Sequence, residues 1–152
     1  MQNEKRKVYT TIMKKIKVVL DEGATLPTRA HPTDAGLDLY SRHDAIVYGQ
    51  DSECFDTGVH IAIPDGYVGL IKSKSGLNVK YGITSEGVID AGYTGSMVVK
   101  LYNHSENPVY IKKGQKISQL VIVPIVTPEP EWVDALEETD RGDGGFGSTG
   151  KF

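Results

Sequence analysis

The sequence predicts an all-β domain, a jelly-roll-like barrel or two-sheet sandwich with a flexible C-terminal arm. Three observations carry that prediction. Period-two alternation of polar and apolar residues dominates the first 126 positions, turn signals interrupt it at short intervals, and helical periodicity is scarce. Many short strands at this density fold as closed or two-layered β architectures. A chain of 152 residues, 39% of them hydrophobic, has the size and composition of one domain with a single core.

Taken in order, strands are predicted at "IKVVL" (16–20), "LDLYS" (37–41), "DAIVYG" (44–49), "GVHIAIP" (58–64), "YVGLIKS" (67–73), "MVVKLYNHS" (97–105) and "KISQLVIVPIV" (116–126). Each is rich in β-branched or aromatic residues, and turn formers such as "PDG" at 64–66 and "KKGQ" at 112–115 bound them. Two short helices are expected, at "SGLNVKYG" (75–82) and "EWVDALEETD" (131–140). From 128 the composition turns Pro-rich, then acidic, then Gly-rich. The predicted organisation is therefore a disordered extension at 1–12, a β-barrel body at 13–127 and an arm at 128–152. Strand edges in so small a chain need cover, so self-association is expected.

Composition excludes several classes of function. Net charge is −3, and Lys5, Arg6, Lys7, Lys14, Lys15 and Lys17 lie in the first 17 residues, which leaves the remainder acidic and poorly suited to a nucleic-acid backbone. The basic start has no apolar stretch of the secretory kind and no run reaches the roughly 18 apolar residues of a membrane span, so a cytoplasmic location without membrane attachment is expected. Cys54 is the single cysteine, which rules out an intrachain disulfide and a cysteine-based metal cluster. It is read as a buried or bystander thiol rather than a nucleophile.

The chemistry must come from polar residues held by strands and turns. Five stretches place glycine beside polar or charged groups: "DAGLDLYS" (34–41), "KSKSGLNVK" (72–80), "GVIDAGYTGSMVVKLYNHS" (87–105), "KKGQKISQL" (112–120) and "RGDGGFGSTG" (141–150). Glycine permits close backbone approach to a ligand, and a serine among free N–H groups makes a phosphate cradle. Asp90 fits two accounts, an Asx-type turn with Tyr93 packed nearby or a general base beside a ring platform. Half of the residues at 141–150 are glycine, so that segment should not order by itself, yet it carries Arg141, Phe146, Ser148 and Thr149.

In their order and spacing the five stretches resemble the five motifs of the trimeric dUTPase family, the deoxyuridine triphosphate nucleotidohydrolases, from about residue 16 to 150. The resemblance implies Mg2+-dependent hydrolysis of dUTP to dUMP and pyrophosphate by attack of water on the α-phosphorus. Such an activity limits uracil in DNA and supplies dUMP for thymidylate synthesis. It implies a homotrimer with sites shared between subunits and these roles: Asp90 as the base that activates water; Tyr93 under the deoxyribose, excluding ribonucleotides; Gly87, Val88 and Ile89 in the hairpin that reads uracil. Lys74, Ser75, Gly76 and Gln119 would meet the phosphates. The arm would close over the nucleotide with Phe146 on the base and Arg141, Gly147, Ser148 and Thr149 at the phosphates. Magnesium would sit on the triphosphate and water, with Asp38 at most supporting it indirectly and no direct protein ligand.

The chain departs from the family pattern in two places. Ser73-Lys74-Ser75-Gly76 replaces the usual Pro-Arg-Ser-Gly, keeping a positive charge but losing a bidentate fork. Thr94 and Ser96 replace an Arg and an acidic or amide residue, and are read as tolerated surface or interface variation. His31, His43, His60 and His104 match no motif and are read as surface or packing residues. Two alternatives belong to the same fold: a dCTP deaminase-like enzyme, and a nucleotide-sensing regulatory protein.

Overall fold

A computed structural model describes residues 15–152; the predicted extension at 1–12 lies outside the described residues. The described chain forms eleven strands and one short helix. In order these are β1 (Val18–Leu20), β2 (Gly36–Tyr40), β3 (Ala45–Val47), β4 (Ser52–Asp56), β5 (Val59–Ile61), β6 (Tyr67–Ser73), α1 (Ser75–Tyr81), β7 (Ile83–Thr84), β8 (Glu86–Ile89), β9 (Val98–Asn103), β10 (Val109–Ile111) and β11 (Lys116–Pro124).

The strands assemble into an antiparallel four-stranded sheet in the order β2-β11-β6-β8 and a three-stranded sheet in the order β4-β9-β7, with the pairs β1-β5 and β3-β10 beside them. Alternation selects the buried face. In β9, Val99, Leu101 and Asn103 point inward while Val98, Lys100 and Tyr102 face out. Leu39, Ile71 and Leu120 from the larger sheet meet Phe55, Val99 and Leu101 from the smaller one in a single apolar cluster. Phe55 is fully buried and stacks on His43 with ring centroids 5.4 Å apart. Truncating such a residue to alanine typically costs about 3–5 kcal/mol.

Three differences from the sequence reading have physical causes. Strand β4, "SECFD", was not expected: only Phe55 among its residues is buried, so the apolar signal is a single residue. Its Cys54 is exposed, which removes the buried-thiol reading and leaves a bystander on the outer face. Residues 131–140 form no helix. Trp132 and Leu136 are almost fully exposed there, so no apolar surface repays the ordering cost of a short acidic helix after two prolines. The helix at 75–81 does form and stops at Gly82, whose left-handed φ of 68° lets its N–H bond back to Asn78 O at 2.9 Å.

Candidate active site

A bulge in β11 builds the first half of the site. Lys116 pairs with Tyr40 and Gln119 with Asp38, so the extra residue near Ile117 restores parity. Three positions apart, Lys116 and Gln119 would otherwise face opposite sides. With the bulge both face the cleft that holds Asp38, a space of about 320 Å3 lined also by Asp34, Ala35, Gly36, Lys74 and Ser75.

Asp38 is nearly buried and both carboxylate oxygens are engaged: Lys74 Nζ lies 2.6 Å from Oδ1 and Lys116 Nζ 2.8 Å from Oδ2. Burial pushes this carboxyl up, but the hydrogen bonds and charges of Lys116 and Lys74 outweigh it and leave it below its ordinary 3.8. Asp38 in turn holds the Lys116 ammonium above its ordinary 10.5. The carboxylate therefore fixes two cations at one wall of the cleft. Lys74 also precedes α1, and no side chain caps that helix, so the first-turn amides of Ser75 and Gly76 have no intrahelical acceptors. Gln119 Nε2 donates to Ser73 O at 2.9 Å and ties the same loop to β11. A buried hydroxyl pair beneath it, Ser85 with Ser118 at 2.7 Å, supports Ser73 through the 2.9 Å bond from Ser85 N to Ser73 Oγ.

The second half is the turn after β8. The N–H of Tyr93 donates to Asp90 O at 3.2 Å, and Gly92 has φ of 86° at the third position, where a type II turn demands a left-handed residue. Closure of this turn by the backbone, with no side-chain bond of Asp90 among the described residues, disposes of the Asx account. The Asp90 carboxylate is exposed and uncommitted. Tyr93 Oη donates to Ser96 O at 3.0 Å, laying the ring over Gly95, where a Cβ would come within 2.3 Å of that oxygen. Ser96 is not idle surface variation, since its Oγ donates to Asp56. At Thr94 the contact is made by the backbone, whose carbonyl O meets His60 Nδ1 at 2.7 Å, while the residue itself is exposed. Among the described residues, strand β8, which bears Gly87, Val88 and Ile89, is the edge of its sheet, so its outward backbone groups pair with no other strand there.

These halves do not meet within one chain. Asp38 stands on β2 and the Asp90 turn follows β8, at opposite edges of a four-stranded sheet three strand spacings, roughly 14 Å, across. The arm joins neither. Beyond Ile125, whose N–H bonds Gly66 O, its hydrogen bonds among the described residues are local, such as Arg141 Nε to Gly144 O at 2.9 Å and Ser148 N to Gly145 O at 3.1 Å. Phe146 is fully exposed. Lys116 and Gly36 are cleft residues that motif reading did not single out. The bulge that aims Lys116 leaves no mark in composition, whereas the glycine of "AGLDLYS" was a visible signal.

Two lysines around a buried carboxylate, an uncapped helix start and an uncommitted carboxylate on an edge hairpin are groups chemically suited to a phosphate ester, carried on a jelly roll. The dUTPase family profile matches residues 22–150. The deoxyuridine 5'-triphosphate nucleotidohydrolase of Clostridium tetani is 46% identical over 140 residues, covering 90% of this chain and 96% of the relative. Among solved structures, a mutant dUTPase of Staphylococcus bacteriophage 80alpha with dUpNHpp superposes with a TM-score of 0.85 at 33% identity, covering 91% of this chain and all of that one. A mutant dUTPase from phage phi11 of S. aureus, in which the coordination of a structural Mg(II) ion is described, gives 0.75 at 33% identity over 82% of this chain and 99% of the other. The chain belongs to the dUTPase family.

Proposed function

We propose that this enzyme, which as a dUTPase hydrolyses dUTP to dUMP, does so with Asp90 as general base and a site completed by neighbouring copies of the chain. Asp90 takes a proton from water, the water oxygen bonds to the α-phosphorus, and the bond from that phosphorus to the α,β-bridging oxygen breaks with the electron pair leaving on pyrophosphate. Lys74, Ser75 and Gly76 hold the leaving phosphates, and Gln119 keeps their loop against β11. The uncommitted carboxylate of Asp90, beside a turn that the backbone alone closes, is the observation that carries this assignment.

Uracil presents acceptor, donor and acceptor along its pairing edge, and the free backbone edge of Gly87, Val88 and Ile89 has the groups to match it. Tyr93 packs under the deoxyribose and leaves no space for a 2′-hydroxyl. Phe146 covers the base while Arg141, Gly147, Ser148 and Thr149 bind the γ-phosphate end. Support for a homotrimer with shared sites comes from the separation of the Asp38 cleft and the Asp90 hairpin on one sheet and from an arm that, among the described residues, bonds only to itself. Division into a body at 13–127 and an arm at 128–152 agrees with a last strand ending at Pro124.

No group of three or more His, Cys, Asp or Glu residues that could cage a metal occurs among the described residues, and the Asp38 oxygens are taken by lysines. A hard, hydrated Mg2+ suits the triphosphate oxygens and water instead, where it neutralises charge developing on the phosphates. Asp38 acts beside it by fixing Lys74 and Lys116. Among the described residues no helix is long and apolar enough to cross a membrane, and a cytoplasmic location is proposed.

The test is pyrophosphate release from dUTP, dCTP, dTTP and UTP with magnesium. Selective release from dUTP is the expected result. Ammonia release from dCTP, or equal turnover of UTP, would overturn the proposed site.

A further inference from the structure

The hairpin that carries Asp90 and Tyr93 is pinned to the body at two points by residues outside the five motifs. Ser96 Oγ donates to the Asp56 carboxylate, which also accepts the Gly58 N–H at 3.0 Å and faces Arg42 Nη2 at 3.4 Å. The other pin is His60 on β5. Its Nδ1 lies 2.7 Å from Thr94 O and its Nε2 3.0 Å from Asp21 Oδ1. A backbone carbonyl and an ionised carboxylate only accept hydrogen bonds, so both ring nitrogens must donate, and only the imidazolium does that.

We propose that His60 is a positioning residue for the substrate hairpin: charged, it bridges Asp21 to the Thr94 carbonyl and holds the adjacent Tyr93 in place, and neutral, it gives up one of the two bonds and loosens the turn. The proposal rests on the reading of Tyr93 as the residue that receives the deoxyribose. The groups around the ring favour the charged form. Asp21 faces it from the turn after β1 and Asp56 from the end of β4, where Arg42 partly offsets the latter, while Lys17 lines the same groove from the β1 side. The Thr94 carbonyl raises the His60 pKa above its ordinary 6.5, partial desolvation lowers it, and the bond and charge of Asp21, then the charge of Asp56, raise it further. A raised folded-state value means that the clamp is complete below 6.5 and is lost as pH rises through the folded-state pKa.

The experiment compares wild type with His60→Gln and Asp21→Asn from about pH 5.5 to about pH 9, which brackets histidine titration. Substrate γ-phosphate titration is common to all three proteins, so the ratio of KM values isolates the clamp. Below the His60 transition the KM for dUTP of His60→Gln should exceed that of wild type by about 3- to 10-fold, the loss of one charge-assisted bond, and the ratio should approach one at high pH with kcat nearly unchanged. In Asp21→Asn, which alters an exposed carboxylate without disturbing packing, the transition should move to lower pH. NMR should show the Thr94 and Tyr93 amides following the His60 ring titration. A KM ratio independent of pH, or amides that ignore the ring, would overturn the proposal. Tyr93→Ala separates the two readings: unchanged discrimination between dUTP and UTP would sink the role of Tyr93, while the coupling of ring to amides tests His60 by itself.

Discussion

Gly36 and Gln119 stand on neighbouring strands with no space between them: a Cβ at 36 would lie 2.1 Å from Gln119 Oε1 and 2.9 Å from its Cβ. The glycine is required because the glutamine side chain must cross that point to reach Ser73 O. Gly36→Ala should therefore displace Gln119 and the Ser73–Gly76 loop together. The expected result is an overpacking cost of about 1–3 kcal/mol by chemical denaturation and a KM for dUTP raised on the order of tenfold. A variant with unchanged KM would detach Gln119 from substrate binding.

Asp38 links stability to acid. Its folded-state pKa is lowered, so its contribution is present above the unfolded value near 3.8 and is lost as pH falls through the lower folded value. Removing one partner of a fully buried ion pair costs about 3–5 kcal/mol. Lys74 and Lys116 are 28% and 43% exposed, so screening reduces the expectation for Asp38→Asn to about 1–3 kcal/mol. The loss should be seen at neutral pH and should shrink at acid pH below the lowered folded-state value, where wild type also loses the charge. Equal differences in denaturation midpoint at both pH values would contradict the linkage.

The role of Asp90 is separable from its turn. Backbone bonding closes the turn, so Asp90→Asn should keep the fold and nucleotide affinity while kcat falls by on the order of 10^2- to 10^4-fold. Single-turnover kinetics with dUTP and binding of a non-hydrolysable analogue measure the two effects independently. Near-normal kcat would exclude Asp90 as the general base.

Much of the body was legible because its signal is local: alternation in β9 and β11 and glycine at 82 and 92 each dictate the backbone that contains them. Strands β4 and β10 were not, since one has a single buried residue and the other three residues after Pro108, and their pairing with β9 and β3 is long-range. The same division holds at the site. Asp90, Ser75 and Gln119 follow from motif order, but Lys116 depends on a bulge, and the His60 and Asp56 contacts to the hairpin join positions 34 and 40 residues apart. Residues 131–140 read as a helix because Trp132, Leu136 and their acidic neighbours fit the period, whereas formation of a helix depends on a surface to cover Trp132 and Leu136.

That missing surface bears on the arm. From Val126 to Phe146 the chain takes 20 steps, a reach of about 60 Å at roughly 3 Å per residue, enough to cross a neighbouring subunit of this size. Removing everything after Asp140 should abolish most turnover and leave the melting temperature nearly unchanged, because among the described residues these bond only to one another and, through Gly142 N–H, to the neighbouring Thr139. Mixing this truncation with Asp90→Asn under conditions that exchange subunits then tests where the arm acts. Suppose the hairpin and the arm of one site come from different chains. A site works when its hairpin belongs to a truncated chain and its arm to an Asp90→Asn chain, which random equimolar assembly produces at about one half times one half. Roughly a quarter of wild-type activity should return, with subunit exchange confirmed by native mass spectrometry. Were each arm to close on the hairpin of its own chain, every site would lack one part and mixing would restore nothing.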